Sequence, residues 1–138
     1  MKALSVRQPW AWAIIYANKD IENRVWPTHY RGDILIHAAS KCTKKEYQQA
    51  FEFSQNMGVS LPELKMLRRG QIIGVVTVVG CLFSPTASGW GMAEQYHWKL
   101  ANPRSITPIP YIGQLGLFDV PDELVKAAML RATSKTIA

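Results

Sequence analysis

The stretch Ala17-Asn18-Lys19-Asp20-Ile21-Glu22-Asn23-Arg24 brings three ionisable side chains close together: Lys19, Glu22 and Arg24. A lysine beside a carboxylate can work as an acid–base pair, because burial lowers its proton affinity while the opposite charge raises it. An arginine next to that pair adds a fixed positive charge that can hold a phosphate or steady a developing oxyanion. These are the parts needed to hydrolyse a phosphate ester or an amide, with Lys19, Glu22 and Arg24 as the catalytic candidates. The same three residues also fit an ordinary surface salt-bridge group, which contributes little to stability. A pocket with walls separates the two readings.

Aromatic rings are the natural wall material, and five tryptophans are many for 138 residues. Unpaired bases stack on such rings for about 1–3 kcal/mol each, whatever the base. Trp90 stands between Gly89 and Gly91 and reads as an exposed loop ring suited to stacking, or else as a loop anchor. Trp10 and Trp26 flank the charged stretch, and Arg31 and Arg104 complete the expected set of ligand contacts. Arg104, with Asn102, also fits a polar turn at a sheet edge.

His37 ends an apolar run and reads as a satisfied core residue, while His29 and His97 lack helical metal spacing. No metal site and no cofactor are expected, although a loosely held Mg²⁺ or Mn²⁺ would leave little trace in a sequence. Cys42 and Cys81 are too few for a disulfide framework and read as plain thiols. Phosphate-cradling glycine loops and Gly-x-Ser-x-Gly elbows are absent, which removes the enzyme classes built on them.

The elements that must position these residues follow from pattern. Lys2–Val6 alternates as a first strand. Pro9 then opens a helix whose Trp10, Ala13, Ile14 and Ala17 share one face, and Asn18 supplies a left-handed stop. A strand is expected near 22–25, a turn at 30–33 and a buried strand over Ile34–His37. Thr43 with Glu46 makes a capping box for a helix from Lys44 that presents Tyr47, Ala50, Phe51 and Ser54 on one side and ends at Gly58. Ser60-Leu61-Pro62-Glu63 predicts a second, shorter helix ending at Gly70. Ile72–Phe83 is β-branched and reads as a central strand. Strands at Tyr96–Leu100 and Ile106–Tyr111 are expected on either side of a break at Asn102-Pro103-Arg104, the second edge-like because of Pro108 and Pro110. Gly116–Val120 closes the sheet, and Pro121-Asp122-Glu123 starts a final helix through about Leu130.

The whole reads as a single domain over 1–138, with 131–138 a frayed tail. Its class is α+β: a mixed, mostly antiparallel sheet of about five to six strands with helices around it. Net charge is +6, with Lys44-Lys45 and Arg68-Arg69 the densest basic pairs. A basic surface favours polyanionic partners, and without long basic runs any such contact must come from a folded face. No apolar run reaches the roughly 20 residues of a membrane span, and no secretory signal is recognisable, so a cytoplasmic location is expected.

Leu4-Ser5-Val6-Arg7-Gln8-Pro9-Trp10-Ala11, the charged stretch, Trp98–Arg104 and Pro108–Phe118 occur in the order seen in the ASCH (activating-signal-cointegrator homology) domain. The chain resembles that family from about Met1 to Val120. The family signature Gly-x-Lys-x-x-Glu-x-Arg is kept here in its charged positions, with Ala17 replacing glycine. The resemblance implies a PUA-like β-barrel with peripheral helices and RNA, or a modified nucleoside, as partner. Some bacterial members are ribonucleases. Another branch hydrolyses N4-acetylcytidine with a lysine, a threonine and a glutamate. Lys19 matches that lysine, but Glu22 stands at the threonine and Thr77 near the glutamate. The resemblance therefore implies a ribonuclease acting on single-stranded RNA, with a nucleoside amidohydrolase or a non-catalytic reader as the alternatives.

Overall fold

A computed structural model describes residues 1–137, with side chains through Met129. In chain order the elements are β1 (Lys2–Val6), α1 (Trp10–Tyr16), β2 (Ile21–Arg24), β3 (Gly32–Ala38), α2 (Lys44–Asn56), a 3₁₀ turn (Leu64–Met66), β4 (Gln71–Ser84), β5 (Gln95–Pro110), β6 (Leu117–Asp119) and α3 (Asp122–Ile137). The six strands form one sheet in the order β2-β5-β4-β3-β1-β6. Every pairing is antiparallel except β1 with β3. This is the expected mixed α+β sheet with helices around it. Closure into a barrel is not observed: the ladder ends at β2 and β6, which do not pair with each other among the described residues.

Both faces of the central strands are covered, so they read as unbroken apolar runs rather than alternations. In β3, Ile34 and Ile36 point with Leu4, Ile14, Val76 and Trp98 into a core beneath α1. Leu35, between them, points the other way with Val75, Phe118 and Val125 into a core beneath α3. Gly74 on β4 lets α1 sit close, since a Cβ there would lie 2.5 Å from Ile15 Cδ1 and 2.7 Å from the Arg104 carbonyl.

Two expected elements differ. Residues 60–70 hold a single 3₁₀ turn rather than a helix. Leu67 is the one buried residue from 60 to 70, too thin an apolar stripe to offset the cost of nucleating a helix. The break at Asn102-Pro103-Arg104 is absorbed into one continuous strand. Val75 faces Arg104 and Thr77 faces Ala101, so Pro103 falls in a bulge, with Asn102 left-handed at φ 55°. Pro108 lies in a second bulge, between the pairs Ile72–Ile109 and Gly74–Ser105. A bulge asks no ladder hydrogen bond of a proline. Beyond residues 96–99, where β2 ends, this half of β5 is an outer edge, as its prolines predict.

The final helix passes the expected end at Leu130 and reaches Ile137. The frayed tail expected over 131–138 falls on side chains outside the described residues, and Ala138 lies outside altogether. No described helix is long and apolar enough to cross a membrane.

Candidate functional site

The turn after α1 delivers the charged stretch. Asn18 adopts the left-handed conformation, φ 56°, and the Lys19 N–H returns to the Ala13 carbonyl at 3.0 Å, closing the helix end. Lys19 is thereby aimed under α1, and it is only 4% exposed. Its ammonium donates to the Ile21 carbonyl and to Glu22 Oε1 at 3.3 Å. Arg24, two residues along β2, donates from Nε and Nη2 to Glu22 Oε2 at 3.2 and 2.9 Å. Nη2 also meets the Ser5 carbonyl at 2.9 Å, while Nη1 takes part in none of these bonds.

This is not a surface salt-bridge group, because Glu22 is 7% exposed and Lys19 less. A buried ion pair roughly breaks even against well-packed apolar residues, so stability does not account for it. Burial pushes the Lys19 pKa below its ordinary value, with Glu22 the largest influence in the opposite direction. Two cations share one carboxylate, which leaves an excess positive charge.

That cluster faces a cleft of about 1100 Å³, slightly above the roughly 300–1,000 Å³ usual for small-molecule sites. Trp10, Phe53 and Trp90 line it as mutually packed rings, with centroids 5.8–6.3 Å apart. Lys19 lies 5.8 Å from the Trp10 ring centre. Trp90 is 8% exposed rather than an exposed loop ring, because Trp10 and Phe53 cover it. The most open ring of the three is Phe53, at 40%. Its helix is fixed by Thr43 Oγ1, which accepts the Glu46 N–H at 3.1 Å, as the capping box predicts. The Glu46 carboxylate instead holds Arg7 at 2.9 Å beside the cleft.

Asn23 ties the aromatic wall to the charged floor. Its amide donates to the Trp90 carbonyl at 3.0 Å and accepts the Met92 N–H at 2.8 Å. His97 Nε2 meets the Met92 carbonyl at 2.7 Å, and a Cβ on Gly91 would lie 2.4 Å from the His97 ring. The loop bearing Trp90 thus has little freedom to move away from β2. His37 is buried as expected, bonded to Ser5 Oγ at 3.0 Å and to the Tyr111 carbonyl at 2.7 Å, yet it also lines the cleft. Exposed Ile112 and Leu115 form part of the rim.

Three expected ligand contacts are not brought to the cleft. Trp26 packs on Trp98 at 4.9 Å and lies 5.4 Å from the Arg24 guanidinium, buttressing Arg24. Arg31 donates to the carbonyls of Thr28 and Tyr30, stiffening its own turn. Arg104 makes a forked pair with Asp33 at 2.9 and 3.2 Å and reaches Thr77 Oγ1 at 3.2 Å, the polar-turn alternative. Lys19, Glu22, Arg24, Trp10 and Trp90 do converge. Phe53, Asn23, Arg7 and Glu46 join them unforeseen. Asn23 lay inside the charged stretch, whereas Phe53 fell off the expected face of its helix.

Among the described residues no three His, Cys, Asp or Glu side chains converge as a metal-binding group. No curated protein sequence matches the chain significantly. The model of the ASCH domain matches residues 4–110, from β1 to the end of β5 and so across every residue of the charged floor. The chain therefore belongs to the ASCH domain family, which is PUA-like and associated with RNA binding.

Proposed function

We propose that the cleft takes one unpaired nucleotide of a single-stranded RNA and cleaves the adjoining phosphodiester. The observation that carries this reading is the buried floor with one more cation than anion, beside packed aromatic rings. An excess buried positive charge is costly unless an anion completes it, and a phosphate is the anion an arginine fork suits best. The base packs against Phe53 and Trp10, and Arg24 holds the phosphate through donors not committed to Glu22. The Glu22 carboxylate takes the proton from the 2′-hydroxyl, and the Lys19 ammonium, whose hold on its proton burial weakens, gives one to the leaving 5′-oxygen and is recharged from Glu22 through their hydrogen bond. Glu22 keeps Lys19 and Arg24 in register, and Arg24 steadies the charge growing on phosphorus-bound oxygen.

Labelled unstructured RNA, incubated at low salt with and without Mg²⁺ or Mn²⁺, tests the reading. The expected result is cleavage by wild type and none by Lys19→Ala. A wild-type protein that neither retards nor degrades this RNA overturns it. Hydrolysis of an amide on a modified nucleoside is the second reading, favoured by the enclosure of Lys19 beside Glu22. It predicts acetate release from N4-acetylcytidine. It ranks lower because Thr77, near the position where that branch has its glutamate, is bonded to Asp33 and Arg104 and does not line the cleft.

A further inference from the structure

The two densest basic pairs of the sequence lie far apart along the chain, and neither belongs to the charged floor. Folding brings them to the same side of the cleft. Gln8 links their two loops: its Nε2 donates to the Arg68 carbonyl at 2.8 Å, and its own carbonyl accepts from Cys42 Sγ at 3.2 Å. The Gly70 N–H bonds the Ala38 carbonyl at 2.7 Å, and the Tyr47 hydroxyl bonds the Pro62 carbonyl at 2.6 Å. Burial raises the Cys42 pKa and Glu46 adds to that, while Arg69 and then Arg7 act against them, so Arg69 is near enough to be felt there.

Lys44, Lys45, Arg68 and Arg69 are all exposed, as is Lys41, which lines the cleft. Among the described residues none of these five pairs with a carboxylate. Glu46 is engaged by Arg7 and Glu63 by Lys65. Five uncompensated cations beside a cleft that already carries excess positive charge repel one another, and a polyanion relieves that repulsion.

We propose that Lys41, Lys44, Lys45, Arg68 and Arg69 form a track along which the RNA backbone runs past the mouth of the cleft. This rests on the RNA reading above and adds the path of the strand to it. The contacts go to phosphates, so the track sets affinity and register without reading sequence.

The test is the salt dependence of binding to a short fluorescent oligouridylate. Each phosphate contact on a single strand contributes about 0.7 to the slope of log K against log salt. The variant Lys44→Gln, Lys45→Gln, Arg68→Gln, Arg69→Gln should bind with a slope shallower by up to about 2.8, and at least tenfold more weakly at low salt. Exposed substitutions of this kind leave stability nearly unchanged, which thermal melting checks. Lys126→Gln, on an α3 that does not line the cleft, should leave the slope as in wild type. An unchanged slope in the quadruple variant, with wild-type binding intact, overturns the track and leaves the RNA reading standing. Failure of wild type to bind the oligonucleotide overturns both.

Discussion

Glu22→Gln keeps the side chain's shape and removes the charge that serves both Lys19 and Arg24. Arg24 is 22% exposed at its side chain and can turn to water, but Lys19, at 4%, cannot. Stranding a buried charge in this way costs about 3–5 kcal/mol. Against a total stability of about 5–15 kcal/mol, the variant should still fold. With a urea slope of about 2 kcal/mol per molar, its midpoint falls by about 2 M. The loss should also depend on pH, with a definite sign. Burial lowers the Lys19 pKa in the folded protein, and removing Glu22 lowers it further, while the unfolded chain keeps 10.5. Between those values the unfolded chain holds the extra proton, so stability rises with pH by up to about 1.4 kcal/mol per unit. That window opens at lower pH in the variant than in wild type. The deficit of the variant is therefore wider at neutral pH and narrows as pH rises toward 10.5. Urea unfolding of both proteins across that range measures it, and adding Lys19→Met to the variant should restore most of the loss by removing the stranded charge. A deficit below about 1 kcal/mol, or one that does not change with pH, refutes a desolvated Lys19.

Phe53→Ala should weaken RNA binding by about 1–3 kcal/mol by removing the most open stacking ring; fluorescence titration reads it, and unchanged affinity would assign the ring to packing alone. Asn23→Ala frees the Trp90 loop from β2, so the Met92 amide should lose its protection from hydrogen exchange while the β4–β5 ladder keeps its own. The Arg104 and Thr77 hydrogen bonds hold the Asp33 pKa below its ordinary 3.8. The stability they supply is present above that value and is lost as pH falls through the folded one. The Asp33 and Arg104 side chains are at least a third exposed, so the effect is well under about 1 kcal/mol. NMR titration of the Asp33 carboxyl in Arg104→Gln should show it returning toward 3.8.

The floor of the cleft was legible because its three charged residues are neighbours in sequence, and a left-handed Asn18 suffices to turn Lys19 inward. The walls were not. Trp90 sits between two glycines, which reads as exposure, yet its burial is decided by Trp10 and Phe53 from two other elements. Phe53 itself lies off the stripe that the α2 periodicity marks: Ala50 and Ser54 of that stripe are buried, while Phe53, outside it, still lines the cleft. Arg104 shows the opposite failure. Its type suited a phosphate, but a partner at Asp33, distant in sequence, had already claimed it. The prolines of β5 looked like a break because a local pattern cannot see the bulges that the β4 partner strand makes available. Barrel closure was likewise beyond reach, since it depends on whether β2 and β6, from opposite ends of the chain, meet.

The position of β1 sets a schedule for folding. Ser5 and Arg7 belong to the cleft, and Ala3 and Leu4 pair on one side with β3 and on the other with β6. As the chain leaves the ribosome, its first strand therefore has only one neighbour until Leu117–Asp119 has been made. The β4–β5 hairpin, whose strands follow each other directly, can form without that wait. The charged floor and aromatic wall are consequently assembled against a strand whose second flank is added late, and the cleft is among the last regions to become native during synthesis.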